Sequence, residues 1–259
     1  SNRFVFGEEK SFISNGSSTP IINTVEPTIA HISDTITIWG NHFSKNPSVF
    51  FGESMSDIIF KSDTLIKCVV PYYYNSQGGS EPYKSIKIKK PTYEEVIFND
   101  FSLHTPEVYS MEPYQVHDTD TVTIYGNHFH KEAFRNHLSI EVNGSYQSLE
   151  IVESSRTKIK FVNTGTYYDF HPKFQLTCQY QTIDITDKLE LKLPTIAWVP
   201  ECITFGEDIV IKGTDFPRYI LNDFFSIKIG ETAFSVKQVY RDSLVMQVYD
   251  TNYKDFNLK

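Results

Sequence analysis

The chain has 259 residues, 32 acidic against 24 basic, with a formal net charge of −8 and an aromatic-rich composition of 20 Phe and 16 Tyr. An acidic balance of this size repels phosphate backbones and excludes nucleic acid as the main partner. No run approaches the roughly 18 consecutive apolar residues of a membrane helix, and the three cysteines are too few and too scattered for a disulfide scaffold.

In chain order, residues 1–19 (with "RFVFGEEKSFIS") read as a tail or as a strand belonging to a preceding segment. Strands are then predicted near 20–27, 35–41, 48–52, 57–62, 65–70, 85–90 and 96–103, where β-branched and aromatic residues alternate between turn signals. "TITIWG" (35–40) is the clearest of them. Ile36 and Ile38 share an inner face, and Thr35, Thr37 and Trp39 share an outer, wet one. Gly40 ends this strand where the backbone needs either a positive φ or a close approach, and Phe43 is expected to fold back as a core plug.

The same wording returns as "TVTIYGNHF" (121–129) and "DIVIKGTDF" (208–216), so that Gly40, Gly126 and Gly213 recur at a spacing of about 86 residues. Pro27, Pro113 and Pro200 each stand thirteen positions before the glycine, and a short strand follows each turn. A period this long fits a whole small sandwich, which sets units at 20–105, 106–193 and 194–259, the third lacking its last strands. In the second unit Val122 and Ile124 face in and Tyr125 faces out. In the third, Lys212 takes the outward place. Trp198, counted back from Pro200, matches the apolar Val25 and Met111 and is expected to be buried. Cys68 matches Phe161 and reads as a small buried hydrophobe. No unit contains a cysteine pair, and a Cys178–Cys202 bridge across the second junction stays open as an addition to the plan.

Proline-strand-proline, then "G-x-x-F" after an alternating strand, then "V-x-F-G" and "T-x-I-x-C/F-x-V-P", resembles the IPT/TIG immunoglobulin-like domain three times over, across residues 20 to about 250. The resemblance implies an all-β chain of tandem immunoglobulin-like sandwiches whose shared residues are structural, with no catalytic residue carried over and no cofactor. Its wording is most similar to the surface proteins of Bacteroidetes. That implies an extracellular or outer-membrane location, further domains of the same chain, and a lipid anchor upstream.

Candidate sites are few. "GNHFHKEAFRNH" gathers His128, His130 and His137 in one loop, but the spacing is looser than zinc sites use, and no metal site is assigned. No Gly-rich phosphate loop, nucleophile elbow or acidic pair stands out, and no enzyme is expected. Tyrosine clusters follow the fifth strand of each unit, with Tyr72, Tyr73 and Tyr74 in the first and Tyr167 and Tyr168 in the second. Two uses compete for them: packing at the junction to the next unit, or stacking on sugar rings. Trp39 and Tyr125, facing outward, are the second ligand-contact candidates. The short links "FSLHTPEV" and "LKLPTIA" are expected to bury Phe101, Leu103, Leu191 and Leu193 and to make a stiff rod. The expectation from sequence is a non-catalytic spacer and binding scaffold for polysaccharide capture or adhesion. The alternatives are a protein-binding receptor or adhesion ectodomain and the accessory region of a polysaccharide-degrading enzyme.

Overall fold

A computed structural model describes residues 18–72, 83–92, 94–117, 119–142, 144–164, 172–201, 206–216, 227–229 and 232–247. The chain is all-β and built on immunoglobulin-like sheets. Among the described residues the only helical pieces are two single 3-10 turns, Ala133–Arg135 and Thr186–Lys188. It divides into two compact units, Ser1–His104 and Thr105–Lys259.

The first unit runs through β1 (Ile21–Glu26), β2 (Ile29–Ala30), β3 (Thr35–Asn41), β4 (Ser48–Phe51), β5 (Ser54–Met55), β6 (Ile58–Lys61), β7 (Leu65–Val69), β8 (Ile86–Lys89), β9 (Glu95–Phe98) and β10 (Ser102–Leu103). Two four-stranded antiparallel sheets form, in the orders β1-β3-β7-β6 and β5-β4-β8-β9. Period-two alternation decides the core: Ile36, Ile38, Ile66 and Cys68 come from the first sheet and Val49, Phe51, Ile86 and Ile88 from the second, all fully buried. Burial pushes the Cys68 thiol up to about 11, against a smaller opposing effect of the Ser56 hydroxyl, so it serves as the small apolar residue predicted for it. The edges are tied by a short parallel pair, Ile29 beside Ser102 and Ala30 beside Leu103. There the Ser102 N–H donates to the Thr28 carbonyl and the His104 N–H to that of Ala30, both at 3.0 Å.

The second unit repeats this plan in β11 (Glu107–Glu112), β12 (Gln115–Val116), β13 (Thr121–Asn127), β14 (His137–Val142), β15 (Ser145–Ser154), β16 (Lys158–Val162), β17 (Lys173–Cys178), β18 (Gln181–Asp184) and β19 (Glu190–Leu191). Here β15 is unbroken. Its first half pairs with β14 and its second half with β16, joining what are two sheets in the first unit into one of seven strands, β11-β13-β16-β15-β14-β17-β18. The parallel tie recurs as β12 with β19. The unit then continues with β20 (Thr195–Trp198), β21 (Asp208–Thr214), β22 (Ile227–Ile229), β23 (Thr232–Val239) and β24 (Ser243–Gln247), a five-stranded sheet ordered β20-β21-β24-β23-β22. Its buried cluster of Ile209, Ile211, Phe216, Leu244 and Met246 is separate from the cluster running from Met111 to Leu191. Phe101, Leu103 and Leu191 are buried as expected, but within the cores. Leu193 is exposed, contrary to expectation, the chain having left β19 at Leu191.

The thrice-written turn has one structural reason. A Cβ on Gly40 would lie 1.9 Å from the Ile21 carbonyl oxygen and 2.4 Å from the Phe43 ring. Gly126 and Gly213 meet the same obstacles, the Glu107 and Thr195 oxygens at 2.0 Å and the rings of Phe129 and Phe216. The need is close approach, and the positive φ falls two residues later, at His42, His128 and Asp215. The phenylalanine then folds back under the glycine, with its N–H bonded to the carbonyl of Asp63, Arg156 or Arg241 in turn. A methyl group at such a glycine would overpack the site and cost about 1–3 kcal/mol or more.

Within the second unit two polar side-chain contacts connect the second repeat to the third, one between His117 and Asp215 and one an ion pair of Arg241 with Asp120. His117 Nε2 lies 2.8 Å from Asp215 Oδ1, and an Arg241 Nη2 donates to Asp120 Oδ1 at 3.0 Å. Burial alone would raise the Asp120 carboxyl, but the His117 N–H and the Arg241 guanidinium outweigh it and hold the group below its ordinary range.

Candidate binding faces

Trp39 lies on the outer face of β3 and is 39% exposed. It stands directly across from Thr24 on β1 and Leu65 on β7. The next row along the face is Glu26, Thr37, Lys67 and Phe60, so the ring is set among polar neighbours with one further aromatic nearby. Tyr125 occupies the matching place on β13, between Ser110 and Lys158, half-buried. The Lys158 ammonium sits 5.7 Å from the ring centroid, within cation–π range.

Trp198 is not buried, as its count from Pro200 predicts, but 50% exposed. All three first strands carry a bulge, after Ile22, Val108 and Ile196, and the residue beyond it pairs with the outward position before the glycine. In the third repeat the proline comes one residue sooner after that bulge. Trp198 therefore takes the register place of Thr24 and Ser110, opposite Lys212, and not that of Val25 and Met111. Lys212 Nζ stands 6.0 Å from the Trp198 ring.

Of the tyrosine cluster, Tyr72 is exposed at the end of a described stretch, while Tyr73, Tyr74, Tyr167 and Tyr168 lie outside the described residues. Cys202 does too. Cys178 is a free buried thiol whose pKa burial pushes up to about 12.

The histidine loop is built for stiffness. Asn136 is buried at its centre: Oδ1 accepts from the His130 N–H, and Nδ2 donates to the carbonyls of His130 and Glu132 and to Ser154 Oγ. His130 Nδ1 accepts the Glu132 N–H, which leaves the proton on Nε2 of the neutral ring. Burial first, then the Arg135 guanidinium, pushes His130 down to about 4. His137 bonds Ser148 through Nε2. The ring nitrogens of His128, His130 and His137 do not converge at one point. What the loop presents is Phe134, 79% exposed, with the Arg135 guanidinium 5.3 Å from its ring and Arg135 paired to Glu132. Reading the loop for metal ligands overlooks Phe134. The signal was an apolar residue inside a stretch longer than its counterpart after Phe43. Tyr109 is likewise exposed; it is the bulge residue of β11, and its hydroxyl donates to Glu107.

Residues 20–82 match the IPT/TIG domain family. A segment of 84 residues, 32% of this chain, is 34% identical to part of the cyclomaltodextrin glucanotransferase of Bacillus sp. (strain 1-1), of which it covers 12%. Among solved structures, a surface glycan-binding protein of Prevotella bryantii is similar at 17% identity and a TM-score of 0.34, over 92% of this chain and 54% of that one. The extracellular region of plexin A4 is similar at 15% identity and a TM-score of 0.37, over 91% of this chain and 21% of that one. The chain thus spans about half the length of the glycan-binding protein and a small part of the other two.

Proposed function

We propose that the chain is a non-catalytic, cell-surface carbohydrate-binding scaffold, made of three tandem IPT/TIG sandwiches at 20–105, 106–193 and 194–259. The observation that carries this reading is the outward aromatic of β3 and β13: Trp39 between Thr24 and Leu65, with Thr37, Lys67 and Phe60 in the next row, and Tyr125 between Ser110 and Lys158. Such a ring offers an apolar plate with hydrogen-bonding groups around it, which suits the amphipathic face of a sugar better than the apolar core of a protein interface. The 84-residue likeness to a glucanotransferase supports a setting in which glucans are handled, and it also favours the second reading, an accessory region beside a polysaccharide-active enzyme. Tyr72, Tyr73, Tyr74, Tyr167 and Tyr168 belong to this proposal as further ligand contacts.

The test is affinity electrophoresis of the 259-residue chain through gels containing xyloglucan, mixed-linkage glucan or starch. Retardation in at least one gel is expected, with no release of reducing sugar on long incubation. Free migration in all three would remove the carbohydrate reading, and steady release of sugar would remove the non-catalytic one.

A further inference from the structure

The ladder pairing shows something that the repeat wording conceals. In the first repeat the pair beside the glycine is Thr24 with Trp39, in the second Ser110 with Tyr125, and in the third Trp198 with Lys212. The aromatic has changed strands, yet each repeat sets one ring in this pair on the outer side. The core does not demand it, since the inner faces of the same strands are filled by Ile36 and Ile38, Val122 and Ile124, and Ile209 and Ile211. Cross-strand partners of such a pair have their Cβ atoms about 5 Å apart, so either strand can deliver a ring to the same patch of surface.

We infer that this cross-strand pair is a sugar-stacking subsite present once per repeat, formed by Trp39, Tyr125 and Trp198, and that the chain reads a neutral polysaccharide by weak contacts at several repeats. The inference rests on the carbohydrate reading above and adds to it the third ring, the equivalence of the three and the class of glycan. Each subsite has one ring with a small polar residue in the same row, Thr24, Ser110 or Ser243, and on its other side Leu65 in the first, Lys158 in the second and Lys212 in the third. A single plate of this kind holds one sugar ring weakly. Repetition along one chain turns later contacts into intramolecular events, and a ligand that is itself a repeating polymer can use more than one of them. The net charge of −8 selects against polyuronates and sulfated chains and in favour of uncharged ones.

The experiment compares the wild type with Trp39→Ala, Tyr125→Ala, Trp198→Thr and the triple variant, on whichever neutral polysaccharide retards the wild type, and on pectin as an acidic probe. All four variants are checked for fold by circular dichroism and thermal melting, which substitutions on the outer face are expected to leave near wild type. Each single change is expected to weaken binding about 2- to 10-fold and the triple change at least about 100-fold. In the Trp198→Thr background, adding Lys212→Trp rebuilds the arrangement of the first repeat and is expected to restore binding. Wild-type retardation with an unaltered triple variant would overturn the subsites while leaving the carbohydrate reading intact. Failure of Lys212→Trp to rescue would overturn the equivalence of the two strands, and preference for pectin would overturn the neutral class. A wild type retained by no polysaccharide would overturn both readings together.

Discussion

His130 shows how a residue that resembles a ligand is used for architecture. It is one of the few buried polar side chains, it is held neutral, and its main chain is tied by Asn136 and Ser154. Its folded pKa, about 4, lies below the ordinary histidine value of 6.5. Between these values the unfolded chain takes up a proton that the native state refuses, so stability is full above about pH 6.5 and declines as pH falls toward 4. After discounting for solvent screening, the loss by pH 4 is about 2 kcal/mol. Urea melts between pH 4.5 and 7.5 check this: His130→Asn, which keeps an acceptor for the Glu132 N–H, is expected to flatten the decline. A slope identical to wild type would assign the proton uptake to another group. The sequence made this histidine visible but not its role, because a buried neutral ring and a metal ligand are the same letter until the neighbouring Asn136 is placed.

Among the elements, those with strict alternation were legible in sequence: the predicted 35–41, 48–52, 65–70 and 85–90 correspond to β3, β4, β7 and β8 within a residue or two. Burial on one face only leaves a period-two record that nothing else imitates. What escaped were the two-residue ties β2, β10, β12 and β19, too short to carry a period, and the register of β20. Counting from Pro200 ignored that the bulge before Trp198 lies one residue nearer the proline than in β1 and β11. The side-chain contacts between the second and third repeats were equally illegible, since His117 meets Asp215 across almost a hundred residues of chain. They allow a prediction at this scale. Replacing Asp215 and Arg241 by Ala is expected to lower stability by only about 0.5–2 kcal/mol, because three of the four groups are partly solvated. The same change is expected to widen the spread of orientations between residues 106–193 and 194–247, read by residual dipolar couplings. Unchanged couplings would mean that packing, not charge, holds that joint.

For the whole molecule, the feature with the widest consequence is the parallel pairing of β2 with β10 and of β12 with β19. In each case the partners come from near the start and the end of a repeat, and each tie has two backbone hydrogen bonds: to Thr28 and Ala30 in the first, and from Glu190 and Lys192 to Tyr114 and Val116 in the second. If the two ends of the chain are drawn apart, parallel strands are dragged lengthwise past each other. Their bonds must then break together, whereas an antiparallel hairpin opened from its end gives way one bond at a time. Single-molecule pulling through the termini is expected to show Lys192→Pro, which removes one donor of the second tie, lowering the rupture force of the second repeat while that of the first stays as it was. Equal forces before and after would show that the tie carries no tension.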